Sequence, residues 1–191
     1  MAAPLPQIFI GLGSNLGDGR RQLLAAWNLL AEVPGVSLVR LSRPYRSAPV
    51  GMVSGNWFTN AAGEIRAEMP PLDLLRRLLA IEAVMGRRRR HPEKTGYQDR
   101  SLDLDLLYYG ELTLATPDLY LPHPRRQERL FVLEPLAEIA GDFIDGETGR
   151  SISALLAELR ENQRALPERH RQRLHAETWP ETDQRFSPGD P

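Results

Sequence analysis

The chain has 191 residues, of which 41% are hydrophobic and 26% charged, and its formal net charge is -1. This balance is typical of one globular domain with or without a tail, and it argues against a protein whose whole surface binds nucleic acid or anionic lipid. The absence of cysteine excludes disulfides, thiolate catalysis and cysteine-based zinc sites. No apolar run reaches the roughly 20 residues that span a bilayer. The N-terminal residues lack the pattern of a signal peptide, so we expect a cytoplasmic protein.

The first predicted element is a short buried strand over residues 7–12, which runs into a glycine-rich turn, Gly11-Leu12-Gly13-Ser14-Asn15-Leu16. The turn is not a dinucleotide fingerprint, because Leu16 occupies the position of the third glycine, and it lacks the Gly-Lys-Ser/Thr of a Walker A loop. Its backbone N–H groups could bind an anion, or the turn could cap the helix that follows.

Apolar residues at helical spacing predict an amphipathic helix over residues 20–31. A second strand is predicted over 36–45, then a long loop over 47–56 and a third strand over 57–65. Phe58 and Asn60 share one face of the third strand. They could stack on and hydrogen-bond a flat heterocycle, or Phe58 could belong to the core while Asn60 satisfies a backbone group.

A second helix is predicted over residues 72–85, because Pro70 and Pro71 fit its start and Gly86 fits its end. Four arginines, Arg87 to Arg90, follow directly. Such a run is usually a solvated surface or a nucleic-acid patch. Beside a pair of carboxylates it could instead clamp a polyphosphate.

The stretch from 100 to 109, Arg-Ser-Leu-Asp-Leu-Asp-Leu-Leu-Tyr-Tyr, carries that pair of carboxylates. Leucines alternate with Asp103 and Asp105, so a strand here places the leucines on one face and both carboxylates on the other. This face could be the solvated side of an amphipathic strand. Aspartate is unfavourable in strands, however, and a divalent cation is the usual partner of two neighbouring carboxylates. Arg100 adds a positive charge at the start of the strand.

The remainder contains a short strand over 112–115, a rigid Pro122-His123-Pro124 loop, a short strand over 143–145 and a last helix over 151–164. His123 could be an ordinary surface histidine or a donor to phosphate or ribose. From residue 165 onward the chain is polar and lacks apolar periodicity. We therefore expect a domain over 1–164 and a loosely ordered tail over 165–191.

The order β-α-β-β-α-β up to Gly110 predicts the fold. It is the order of an α+β, ferredoxin-like antiparallel sheet with its helices packed on one face. The opposite face of the sheet would then be free for a ligand.

Taken together, the motifs resemble the 6-hydroxymethyl-7,8-dihydropterin pyrophosphokinase family, over residues 8 to about 152. Each motif is weak alone, but their order is specific. In chain order they are Gly13-Ser14-Asn15-Leu16, Tyr45-Arg46-Ser47-Ala48-Pro49-Val50-Gly51, Phe58-Thr59-Asn60-Ala61, Arg100-Ser101-Leu102-Asp103-Leu104-Asp105-Leu106-Leu107 and Leu121-Pro122-His123-Pro124, with Arg129 and Phe131. Where the family usually has a tryptophan followed by Gly-Pro, this chain has Tyr97-Gln98-Asp99.

The resemblance implies a 2-amino-4-hydroxy-6-hydroxymethyldihydropteridine diphosphokinase of folate biosynthesis. Such an enzyme transfers pyrophosphate from ATP to the hydroxymethyl group of the dihydropterin and releases AMP. The resemblance further implies two Mg²⁺ ions, bound with ATP by Asp103 and Asp105, and Arg87 and Arg100 as catalytic residues. The implied ATP-binding residues are Glu82, Arg87, Arg89, Arg100, His123 and Arg129. The implied pterin-binding residues are Ser47, Val50, Phe58, Asn60, Tyr97 and Phe131.

Two other functions fit parts of the pattern. A ferredoxin-like RNA-binding module would use the arginine run, but the RNP1 aromatic motif is missing and the net charge is slightly negative. Another Mg²⁺-dependent nucleotidyl or phosphoryl transferase would keep the carboxylate pair without the pterin pocket. We expect ATP and the pterin as partners, no nucleic acid, no membrane, and a monomer.

Overall fold

The computed structural model describes residues 4–51, 54–87 and 99–180, and Arg89 and Tyr97 lie outside these ranges. The first part of the chain forms strands and helices in the predicted order, except that the predicted second strand is divided into two. They are β1 (Ile8–Ser14), α1 (Gly19–Ala31), β2 (Val36–Leu41), β3 (Tyr45–Ser47), β4 (Phe58–Ala67), α2 (Pro71–Val84) and β5 (Asp103–Tyr109).

Shorter strands alternate with two further helices in the second part. They are β6 (Leu114–Ala115), β7 (Tyr120–Leu121), α3 (Leu130–Ala140), β8 (Ile144–Asp145), β9 (Arg150–Ser151), α4 (Ile152–Ala165) and β10 (Leu174–Ala176). Among the described residues, none of the helices has the length and apolar character needed to cross a membrane.

All strands of the main sheet pair antiparallel, as predicted. Strand β1 lies between β4 and β5, and the other edge of β4 pairs with β2 along one part and with β3 along another. Strand β10 pairs with β3. The predicted second strand is thus two strands, β2 and β3, separated at residues 42–44. At this break the N–H of Ser42 donates to the carbonyl of Ala62. The hydroxyl of Ser42 accepts the N–H of Ala62 and donates to the carbonyl of Arg43.

Helices cover both faces of the sheet, which differs from the single covered face that the sequence predicts. Helices α1 and α2 pack on the face that carries Ile8 and Ile10. Helices α3 and α4 pack on the opposite face, against Phe9 and Leu107. The face expected to be open is therefore only partly available to a ligand.

Helix α3 is the main element that the sequence pattern misses. Pro135 lies inside it, and a proline in a helix interior costs about 3 kcal/mol. Leu133 and Leu136 of the same helix are fully buried against the sheet. Each buried leucine contributes about 1.5–3 kcal/mol, so burial offsets the cost of the proline.

The first part of the polar tail is docked on the domain. Strand β10 pairs with β3, and the Nε1–H of Trp179 donates to the carbonyl of Ser42 at 3.0 Å. Trp179 also packs against the core beneath α1 and α2. This part of the chain is held more closely than a loosely ordered tail would be, while the domain boundary at residue 164 stays a prediction.

Gly63 in β4 allows α1 to approach the sheet, and we predict that replacing it by alanine destabilises the protein. A Cβ atom at this position would lie 2.2 Å from Cζ3 of Trp27, which is fully buried. Overpacking of this kind costs about 1–3 kcal/mol. Thermal unfolding should show a melting temperature several degrees lower for Gly63→Ala. The matched control is Gly146→Ala, where a Cβ meets nothing within 4 Å; equal melting temperatures for the two variants would contradict the prediction.

Candidate functional site

Strand β5 has the alternation predicted for it. Leu102, Leu104 and Leu106 are buried in the core with α1 and α2. Because successive side chains of a strand point to opposite faces, Asp103 and Asp105 lie on the other face, and both are partly buried. The carboxylates thus lie on the sheet face that α3 and α4 only partly cover.

Two glycines of β1 form the floor beside these carboxylates. Gly13 lies opposite Asp103 on one side and Asn60 on the other, while Gly11 lies opposite Asp105 and Ala62. Directly paired residues of antiparallel strands share a face. The centre of this face therefore carries no side chain, which leaves room for a ligand between Asn60 and Asp103.

A cavity opens above the glycine floor, and we call it the first cavity. Five of the six predicted pterin-binding residues line it, and the sixth, Tyr97, is outside the described residues. The lining also includes two carboxylates and two arginines. The lining residues include Gly11, Gly13, Ser47, Val50, Phe58, Asn60, Arg100, Asp103, Asp105, Arg129 and Phe131.

The polar wall of the first cavity is held by hydrogen bonds. The Nδ2 of Asn60 donates to the hydroxyl of Ser47 at 2.9 Å and approaches the carbonyl of Tyr45 at 3.4 Å. These bonds turn Oδ1 toward the floor, 3.5 Å from where a Cβ of Gly13 would lie. Both alternatives left open for Asn60 therefore hold in part, because it satisfies a backbone group and also lines the cavity.

Each aromatic ring of the first cavity is paired with an arginine. The guanidinium carbon of Arg100 lies 5.9 Å from the centre of the Phe58 ring, and that of Arg129 lies 5.5 Å from the centre of the Phe131 ring. Cations at this distance are attracted to the ring face. The family resemblance implies that Arg129 binds ATP, and in the structure Arg129 lines the first cavity.

A second cavity lies on the far side of the two aspartates. Its lining includes Glu82, Arg87, Asp118 and His123, and again Asp103 and Asp105. The carboxylate pair therefore forms the boundary between the two cavities. Three of the predicted ATP-binding residues lie here, and Arg89 is outside the described residues.

Asp103 is surrounded by arginines. Arg100 forms an ion pair with its Oδ2 at 2.9 Å, and Arg87 forms hydrogen bonds with both Asp103 and Glu82. Glu82 is 2% exposed and also accepts the backbone N–H of Leu104 at 2.8 Å. Its carboxylate thus fixes Arg87 and the start of β5, so that it orients the site from beneath.

The charge of Asp105 is compensated less well. The pKa of its carboxyl is raised to about 6, mainly by burial and also by the charge of Asp103, while Arg129 and Arg100 act in the opposite direction. A cation beside both carboxylates would lower this pKa again. Within the three described ranges no group of three or more His, Asp or Glu side chains could hold a metal ion.

His123, which lines the second cavity, is held as a neutral imidazole. Its backbone N–H donates to the carbonyl of Leu107 at 2.9 Å, which attaches the loop to β5. Its Nδ1 accepts the N–H of Arg125 at 3.2 Å, so the ring proton is assigned to Nε2. Burial lowers the pKa of the imidazole to about 4, together with the charges of Arg129 and Arg126.

A buried ion pair that sequence reasoning missed supports this loop. Arg126 is 1% exposed, donates to Asp145 at 2.6 Å and to the carbonyl of His123 at 3.1 Å, and lies against the Tyr108 ring. Burial alone would raise the pKa of Asp145, but hydrogen bonds from Arg126 and Tyr108 hold it well below the usual range. No local pattern distinguishes Arg126 from Arg125, so only the packing reveals it.

Asn15 is a second residue whose role the sequence did not show. Its N–H donates to the carbonyl of Arg100 at 3.1 Å, and its Oδ1 accepts the N–H of Arg100 at 2.7 Å. Asp99 accepts from the Nδ2 of Asn15 and from Ser54. Asp18 caps α1 instead, by accepting from the N–H of Arg21. The glycine-rich turn thus holds Arg100 in place through Asn15.

The chain matches one known protein family over most of its length. The model of the 7,8-dihydro-6-hydroxymethylpterin-pyrophosphokinase (HPPK) family matches residues 9–141. A 2-amino-4-hydroxy-6-hydroxymethyldihydropteridine pyrophosphokinase of Methylorubrum extorquens is 40% identical over 155 residues, which cover 81% of this chain and 94% of that protein. The enzyme of the same name from Pseudomonas aeruginosa is 39% identical, with 80% of this chain and 91% of that protein covered.

Solved structures show the same fold. A crystal structure of HPPK-DHPS in complex with substrates superposes with a TM-score of 0.68 at 14% identity and covers 84% of this chain. The Plasmodium falciparum HPPK-DHPS superposes with a TM-score of 0.68 at 11% identity. This chain spans 44% and 45% of those two chains. By the match of the family model and the identity with these relatives, the chain belongs to the 7,8-dihydro-6-hydroxymethylpterin-pyrophosphokinase family.

Proposed function

We propose that the two cavities hold the two substrates of the reaction catalysed by a 2-amino-4-hydroxy-6-hydroxymethyldihydropteridine diphosphokinase. Pyrophosphate passes from ATP to the hydroxymethyl group of 6-hydroxymethyl-7,8-dihydropterin, in folate biosynthesis, and AMP is released. One observation carries this assignment above the others: Asp103 and Asp105 line both cavities, so a group bound between them reaches both substrates.

The first cavity suits a flat heterocycle with polar edges. Phe58 and Phe131 offer apolar ring faces, and the buried amide of Asn60 and hydroxyl of Ser47 offer donors and acceptors at the edge. Ligand sites of this kind combine apolar walls with a few fixed polar groups. We therefore place the pterin ring here, with its hydroxymethyl group toward the two aspartates.

The second cavity suits the nucleotide. Arg87 pairs with Asp103, and His123 lines the same cavity. Guanidinium groups bind phosphate oxygens and stabilise the charge that is shared among them during transfer. The Nε2–H of neutral His123 is a hydrogen-bond donor that adds no charge. We propose ATP at this site, with its phosphates beside Arg87.

Arg100 lies where the transfer would occur. It lies over the Phe58 ring in the first cavity and forms an ion pair with Asp103 at the boundary between the cavities. The hydroxyl oxygen of the pterin forms a bond to the β-phosphorus and loses its proton to solvent, while the bond from that phosphorus to the bridging oxygen of AMP breaks. We propose that Arg87 and Arg100 stabilise the negative charge of the pyrophosphoryl group as it moves between these oxygens.

Mg²⁺ fits the donor set of the site. Two carboxylates lie on neighbouring same-face positions, and burial together with the charge of Asp103 raises the pKa of Asp105. Mg²⁺ is usually bound by one or two carboxylates together with phosphate oxygens and water. When bound, the ions would neutralise phosphate charge; we propose two ions, held by Asp103 and Asp105.

The RNA-binding alternative is less compatible with the structure. Sheets that bind RNA present an open face with aromatic side chains, whereas α3 and α4 cover part of the corresponding face here. We also propose a monomer located in the cytoplasm; the absence of cysteine is compatible with a reducing compartment.

The proposal predicts that the purified protein forms AMP from ATP and the hydroxymethyl dihydropterin when Mg²⁺ is present. Nucleotides separated by chromatography, together with phosphorus NMR of the pterin diphosphate, would measure this directly. Formation of ADP instead of AMP, or no turnover of the pterin, would contradict the assignment.

Replacing either aspartate by asparagine should remove most of this activity. Asp103→Asn and Asp105→Asn each delete a charged oxygen ligand, and we expect kcat to fall by about 100-fold or more, as when a main electrostatic contact of a transition state is lost. Circular dichroism should show an unchanged fold. The matched control is Asp73→Asn on the exposed face of α2, where the aspartate pairs only with Arg76 in the contacts described; it should keep full activity.

The neutral state of His123 can be tested by its titration. Because its pKa is lowered to about 4, its NMR signals should stay those of a neutral ring from pH 8 to 5, whereas in the urea-unfolded chain it should titrate near 6.5. The folded state then binds fewer protons than the unfolded state below about pH 6.5, so this residue reduces stability as the pH falls. His123→Gln should consequently lose less stability than the wild type between pH 7 and 5. An NMR titration midpoint of His123 near pH 6.5 in the folded protein would refute the lowered pKa.

A further inference from the structure

Residues 172–179, which we call the strap, cross from one wall of the first cavity to the other. They lie beyond residue 141, where the match to the family model ends. They contain β10 and the residues on either side of it. The two walls come from distant parts of the chain, so their separation depends on what connects them.

The strap binds the first wall through its backbone. The N–H of Ala48 donates to the carbonyl of Arg173 at 3.0 Å, and Leu174 lies opposite Ser47 in the β10–β3 ladder. The N–H of Glu177 donates to the carbonyl of Pro44 at 2.8 Å. Ser47 and Ala48 both line the first cavity, so this pairing fixes cavity residues directly.

Gln172 binds the opposite wall through its side chain. Its Oε1 accepts the N–H of Leu130 at 2.9 Å, and its Nε2 donates to the carbonyl of Glu128 at 2.7 Å. These two backbone groups flank Arg129. Arg129 is the N-cap residue of α3 and makes no side-chain capping bond. Gln172 therefore supplies a cap to this helix from a distant part of the sequence.

An aromatic cluster adds a third attachment. The ring of Trp57 lies 5.4 Å from the guanidinium carbon of Arg173, 5.8 Å from that of Arg46 and 5.8 Å from the ring of His175. Trp57 directly precedes Phe58, which lines the first cavity. The strap thus also contacts the residue next to one of the aromatic rings.

We propose that the strap is a positioning element that sets the distance between the two walls of the first cavity, with Gln172 as its key residue. Through Gln172 it holds the wall that carries Arg129 and Phe131, and through Arg173 and β10 it holds the wall that carries Ser47. The inference rests on the proposed function, since it assigns the strap to binding of the pterin and leaves ATP binding to other residues.

The test is a comparison of the two Michaelis constants in full-length variants. Gln172→Ala should raise KM for the pterin about fivefold, the size expected for one net hydrogen bond, with KM for ATP within about twofold of wild type. Gln172→Glu should have a KM for the pterin between those of the wild type and Gln172→Ala, because its carboxylate still accepts the N–H of Leu130 at the helix N-terminus. Arg169→Ala, at an exposed position of the same tail, should match the wild type.

An unchanged KM for the pterin, or an equal rise of both constants, would overturn the proposal. Amide hydrogen exchange gives a readout besides activity: the N–H of Leu130 should exchange faster in Gln172→Ala than in the wild type, and equal exchange would also count against it. If the wild-type protein itself fails to turn over the pterin, the proposed function is wrong, whereas the exchange experiment still reports whether Gln172 holds this wall.

Discussion

Two carboxylates on one partly covered sheet face are the constraint around which the site is built. Asp103 and Asp105 are one pleat apart, and burial together with mutual repulsion raises the pKa of Asp105. Arg100 and Arg87 contact Asp103, and Glu82 in turn fixes Arg87 from beneath. Removing either arginine would leave the negative charge of Asp103 less well compensated. The charge balance of the site therefore couples β5 with the residues after α2, which include Arg87, and with the turn after β1, which holds Arg100 through Asn15.

The same constraint separates the two cavities. Because the carboxylates stand at the boundary, a ligand in either cavity can reach them. Gly11 and Gly13 leave the floor free of side chains next to the pair. Catalysis of phosphoryl transfer depends mainly on positioning and electrostatics, and both are supplied here by short contacts to a rigid sheet.

Later parts of the chain hold the site together from outside. The loop that carries His123 is fixed by the buried pair of Arg126 and Asp145, which keeps the pKa of Asp145 low. A buried charge pair of this kind is costly to break, because the remaining partner is left uncompensated. The strap acts at the other side of the first cavity through Gln172. Segments with little local pattern thus position residues whose motifs are evident in the sequence.

The sequence by itself determined the local elements and the family. Helices α1 and α2 and the alternation of β5 follow from apolar periodicity, and the ordered motifs identify the pyrophosphokinase family, as the relatives confirm. Periodicity reports which face of an element is apolar, but it does not report which distant segment covers that face. Only the tertiary structure decided that α3 forms despite Pro135, that Arg126 is buried, that Arg129 lines the first cavity and that Gln172 caps α3. Each of these depends on contacts between residues far apart in the chain, where packing outweighs local preference.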